Sequence, residues 1–142
     1  MSIDAPQLPP QAEAASLHPL EPLSAEEIAE AVTIVREEKE LQPCMRFVSV
    51  ALNEPPKSFV LSFEPGMPFS REAFMILLDN SDGGCYESVV SITEKRVASW
   101  KLIPGVQPNI MLDEFEECEA AVKASPEFQA VLARRGSPTS AL

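Results

Sequence analysis

The sequence predicts an α+β fold: one N-terminal helix packed on a four-stranded antiparallel sheet, followed by a C-terminal helical pair. Three observations carry this. Apolar residues recur at helical spacing from Ile28 to Val35 behind a serine cap. After Pro43 the period changes to alternation, and short apolar runs are separated by strong turn signals. Beyond Pro104-Gly105-Val106-Gln107-Pro108 the helical spacing returns, with acidic residues on the opposite side.

Residues 1–17 are rich in Pro, Ala, Gln and Ser, and prolines at 6, 9 and 10 remove backbone donors. This stretch reads as a flexible leader. Ser24-Ala25-Glu26-Glu27 then forms a capping box: the serine oxygen accepts from the third helical amide, and Glu27 reaches back. Leu23 and Ile28 stand where a hydrophobic staple requires them. Ile28, Ala31, Val32 and Val35 make one apolar stripe, Glu26, Glu30, Glu37 and Glu38 occupy other sides, and Pro43 stops the helix, which runs over about 25–40.

Val48, Val50 and Leu52 alternate along Arg46–Asn53, and Glu54-Pro55-Pro56 ends that strand. Phe59–Phe63 reads as a short extended piece, and Pro65-Gly66 with Pro68 as a loop. Ala73–Asp79 is an almost continuous apolar run, as a central strand requires. Asn80-Ser81-Asp82-Gly83-Gly84 is a turn, and Tyr86–Thr93 returns with Tyr86, Val90 and Ile92 on one face. Glu94-Lys95 turns into Arg96–Ile103, where Ala98, Trp100 and Leu102 alternate inward, so the last three strands form a meander. Laying the helix stripe across one sheet face buries both.

After residue 108, Met111, Phe115, Cys118 and Val122 keep helical spacing, with Asp113, Glu114 and Glu116 in the first turns, where the helix dipole favours negative charge. Ser125-Pro126 starts a second helix with serine as cap, Phe128, Val131 and Leu132 form its stripe, and Gly136 suits its end. This pair has too little apolar surface for a core of its own. Residues 137–142 read as a loose tail.

The net charge of −11 repels phosphate backbones and anionic lipid, which argues against nucleic-acid and membrane partners. No apolar run reaches membrane-spanning length, and the N-terminus lacks the pattern of a secretory signal. Cys44, Cys85 and Cys118 show no metal or redox spacing and read as reduced thiols in a reducing compartment; a cytoplasmic location is expected.

Candidate chemistry is sparse. His18 is the sole histidine, so no multi-histidine metal centre can be built within one chain. Tyr86 adjoins Cys85, but neighbours on a strand point to opposite faces, so it reads as a core or face aromatic. Asp113, Glu114, Glu116, Glu117 and Glu119 lack the spacing and glycine of a calcium loop and read as a solvated helix face. Arg134-Arg135 complements a helix C-terminus, and Trp100 reads as a core anchor. No phosphate loop, nucleophile elbow or Ser/His/Asp set is present. Catalytic, cofactor-binding and metal residues are therefore expected to be none.

Several blocks nevertheless occur in an informative order. His-Pro-Leu-Glu-Pro-Leu-Ser-Ala-Glu-Glu-Ile begins at residue 18, Arg-Phe-Val-Ser-Val-Ala-Leu-Asn-Glu-Pro-Pro-Lys at 46, and Ile-Pro-Gly-Val-Gln-Pro at 103. The run Ser99–Gly136 continues through Asp-Glu-Phe-Glu-Glu-Cys-Glu to Ala-Arg-Arg-Gly. Together they closely resemble the N-terminal region of copper-containing primary-amine oxidases. The resemblance implies a second N-terminal domain at about 18–108, with cystatin-like topology, then the opening helices of the third domain at 109–136. It implies a parent enzyme of amine metabolism, a homodimeric oxidoreductase that deaminates primary amines to aldehydes, releasing ammonia and hydrogen peroxide.

The family's copper is held by three histidines, its topaquinone comes from a tyrosine in an Asn-Tyr-Asp/Glu motif, and an aspartate is its base. All belong to a C-terminal catalytic domain, and none maps onto a residue here: Tyr86 follows Cys85, and His18 lies in a block without a ligand role. The family continues into further strands where this sequence ends in Ser-Pro-Thr-Ser-Ala-Leu. The expectation is a non-catalytic structural region, truncated before the catalytic domain that is its partner in cis or trans. The alternative is a stand-alone protein-binding module using a sheet edge or the acidic helices.

Overall fold

The computed structural model describes residues 17–136; the expected leader up to residue 16 and the tail from 137 lie outside them. The elements are α1 (Ala25–Glu38), β1 (Met45–Leu52), α2 (Lys57–Ser62), β2 (Glu72–Asp79), β3 (Cys85–Ser91), β4 (Arg96–Ile103), α3 (Leu112–Ala124) and α4 (Pro126–Arg134). This is the α+β order the periodicities predict. The sheet is wholly antiparallel in the order β1-β2-β3-β4.

The capping box at α1 is formed: Glu27 N–H donates to Ser24 Oγ at 3.2 Å and Ser24 N–H to Glu27 Oε2 at 2.8 Å. The helix stops before Pro43 acts. Lys39 is the C-cap, and Glu40 adopts a left-handed φ of 48°. Glu40 N–H bonds to Glu37 C=O and Leu41 N–H to Arg36 C=O, a Schellman closure built on glutamate instead of glycine.

Ala31 and Val35 of α1 are fully buried against Ala73, Met75, Leu77 and Val90, with Ile92 beside them. Burying a side chain of the Val or Met kind contributes roughly 1.5–3 kcal/mol. The apolar run of β2 thus divides strictly: Ala73, Met75 and Leu77 face α1, whereas Phe74, Ile76 and Leu78 face the other way, half-buried.

Two expected alternations fail at irregularities in the outer strands. Between Phe47 and Ser49 the β1 register shifts, so Val48 drops out of the alternation; Val50 packs on the core as expected, joined by Met45 and Phe47. In β4 the shift falls at Ala98, which is exposed; Val97 and Trp100 take the inward places, and Leu102 is largely exposed. Phe59–Phe63 is not extended. Lys57–Ser62 forms a short helix after Pro56, which places Phe59 and Phe63 one turn apart to meet each other and then Phe69.

The helical pair forms as expected, with Ser125 Oγ accepting from Phe128 N–H at the start of α4. It buries no residue, however: Leu112 and Phe115 remain 86% and 62% exposed. Among the described residues, no helix is long and apolar enough to cross a membrane.

Candidate functional site

His18 is exposed. Its Nδ1 accepts from Leu20 N–H at 3.1 Å, and its ring stands edge-on to Phe63 with centroids 5.3 Å apart. It thus closes a proline-rich turn ahead of α1. Tyr86 stacks on Trp100 across the β3–β4 pair, with centroids 5.0 Å apart and planes 26° from parallel. That contact uses both aromatic faces as packing surface. Cys44, Cys85 and Cys118 are free thiols, respectively half-buried, buried and exposed.

Four of the five acidic residues of α3 have partners. Glu114 accepts from Met111 N–H at 2.7 Å and caps its own helix. Asp113 and Glu117 meet Arg46 of β1, and Glu119 pairs with Lys123. Arg46 stands on the sheet face away from α1, because its neighbours Met45 and Phe47 pack toward the core. The hydrogen bonds it donates to Asp113 and Glu117 raise the pKa of its guanidinium above the ordinary arginine value. This is a structural contact between sheet and helical pair.

Copper and a tyrosine-derived quinone do not fit the donors present. A three-histidine site needs imidazoles that this chain does not encode, and the one imidazole has a nitrogen engaged by backbone. No three His, Cys, Asp or Glu side chains converge on a common point among the described residues. Tyr86 lies between Cys85 and Glu87 and is packed beneath Trp100.

What the structure builds instead is a hydrogen-bonded frame around Arg71. Arg71, 7% exposed, ties the approach to α1 onto β2. Its Nε and Nη2 donate to both Glu27 oxygens at 2.8 and 2.9 Å, and Nη1 and Nη2 donate to the carbonyls of Glu21 and Pro22. The hydrogen bond from Arg71, and then that from the Ser24 backbone, hold Glu27 below the usual carboxylate range against the opposing effect of burial. Nothing local in the sequence marks Arg71, which lies 44 positions from its partner. Behind this frame the second sheet face presents Phe74, Ile76, Leu78 and Val89, and no helix among the described residues packs across it as α1 is packed on the first.

Fold and side-chain inventory together define a small two-layer α+β domain that leaves one sheet face and one helical pair without a core of their own. The sequence model of the AGAO-like N2 domain matches residues 24–100. The chain belongs to that family, a domain of the N-terminal region of copper amine oxidases. It is 44% identical over 120 residues to a primary amine oxidase of Arthrobacter sp. (strain P1), covering 84% of this chain and 18% of that enzyme. A primary amine oxidase of Klebsiella aerogenes is 38% identical over 122 residues, covering 84% of this chain and 16% of the enzyme. A peroxisomal copper-containing diamine oxidase of Nicotiana tabacum is 33% identical, covering 87% and 20%. The chain therefore spans about a fifth or less of the length of these relatives.

Proposed function

We propose that this chain is a non-catalytic structural region of a copper and topaquinone primary-amine oxidase, the catalytic body of which carries out oxidative deamination. The observation that carries the reading is the correspondence of 84% of the chain with under a fifth of an amine oxidase, in a sequence with a single histidine. Residues 18–108 form the second N-terminal domain in this reading, and residues 109–136 open the third. The second sheet face and the exposed side of α3 are then surfaces that the rest of such an enzyme covers, in cis or in trans, within a homodimer. A cytoplasmic location belongs to the same reading, supported by the three unpaired thiols.

The irregularities in both outer strands count against a stand-alone module that recruits a peptide strand. At Val48 and Ala98 the edges of β1 and β4 lose regular register, a feature that discourages strand addition.

The test is a chimera in which residues 24–136 replace the corresponding segment of the Arthrobacter enzyme. A structural role predicts a soluble enzyme that retains copper and amine-dependent peroxide release. A folded chimera whose catalytic body no longer associates with the grafted segment contradicts it.

A further inference from the structure

We propose that α3 and α4 form an arm latched to the sheet by the ion pairs of Arg46 with Asp113 and Glu117, and released when that charge contact is broken. The proposal stands whether or not the chain serves an amine oxidase. The hydrophobic effect fastens this arm weakly, because neither helix buries a residue. Leu112 and Phe115, which a docked helix would cover, face water.

The joint is polar instead. Arg46 reaches from β1 to Asp113, and to Glu117 at 3.3 Å, so one guanidinium grips two carboxylates one helical turn apart. The Arg46 side chain is only 18% exposed, whereas the two carboxylates are 60% and 63% exposed. The cation is thus held in the sheet, and the anions are free to leave with the helix. The connection permits movement: Gly105 adopts a φ of 70° in a turn, and no strand or helix is formed between Ile103 and Leu112. Release would uncover Val48 and Met111, both half-buried, which now line a shared cleft beside Arg46.

The chain contains its own probes: Trp100 is the single tryptophan, and Cys118 on α3 is exposed. With Cys44→Ser to leave one accessible thiol, an energy-transfer acceptor on Cys118 reports the distance from arm to sheet in the full 142-residue chain. The latch predicts that Arg46→Gln loses most of the transfer seen in the parent, while unlabelled Trp100 emission stays unchanged. The charge-swapped pair Arg46→Glu with Asp113→Arg should restore transfer. If Arg46→Gln disturbs the fold, Asp113→Asn with Glu117→Gln, which alters only the helix, must show the same loss. Unchanged transfer in the intact variant overturns the latch, and so does a loss that the charge swap does not repair.

Discussion

Arg71 and Glu27 are joined by two hydrogen bonds of 2.8 and 2.9 Å, and the same glutamate closes the capping box of α1 through Ser24 N–H. One carboxylate therefore starts the helix and anchors it to β2. Because Arg71 is buried and also carries the carbonyls of Glu21 and Pro22, removing it leaves three acceptors short of a donor. Arg71→Ala should destabilise the chain by about 3 kcal/mol, the scale for breaking a buried pair. Urea unfolding measures this, and a change of under about 0.5 kcal/mol would show the tie to be idle.

The same pair sets a pH dependence. The pKa of Glu27 is lower in the folded chain than in the unfolded one, chiefly through Arg71. Its contribution is then fully present above the unfolded value and is lost as pH falls through the folded one. Asp79, held down by Ser81, acts in the same direction. The urea midpoint should fall between about pH 5 and pH 3, and the gap between the parent and Glu27→Gln should narrow over that range. A gap that is constant with pH contradicts the assignment.

Glu40 occupies the left-handed position of the Schellman closure with a φ of 48°. A side chain there costs about 1–2 kcal/mol that glycine avoids, offset by the extra freedom glycine has when unfolded. Glu40→Gly should raise stability by about 0.5–1 kcal/mol, read as a higher unfolding midpoint; a lower midpoint would contradict this closure.

Core and arm should respond differently to truncation. Met75 is fully buried between α1 and the sheet, and Met75→Ala should cost about 2–5 kcal/mol. Phe115→Ala, at an exposed site, should stay within about 0.5 kcal/mol. Equal losses at both sites would mean that α3 belongs to the core.

Thiol reactivity should follow burial. Cys118 should react first with a disulfide reagent, Cys44 more slowly, and Cys85 only as the chain unfolds. Fast modification of Cys85 in the folded chain would contradict its place in β3.

The features readable beforehand are local ones. Ser24 with Glu27, Ser125 with Pro126, and the turn from Asn80 to Gly84 act within a few residues, so their chemistry is visible in a short window. The contact of Arg71 with Glu27 spans 44 positions, and that of Arg46 with Asp113 spans 67; no periodicity announces either. The irregularities at Val48 and Ala98 escape alternation rules because each adds a residue without a turn signal. The extended reading of Phe59–Phe63 fails for a different reason: so short an apolar run fits a helix turn as well as a strand. In α3 the apolar spacing identifies a helix but not what covers it, and within the described residues nothing buries Phe115.

The central claim is that this polypeptide contributes architecture and no amine chemistry of its own. The most direct test is peroxide release from the purified 142-residue chain supplied with copper and a primary amine. We predict none beyond a copper-only blank. Sustained, amine-dependent peroxide at many turnovers per chain would contradict it.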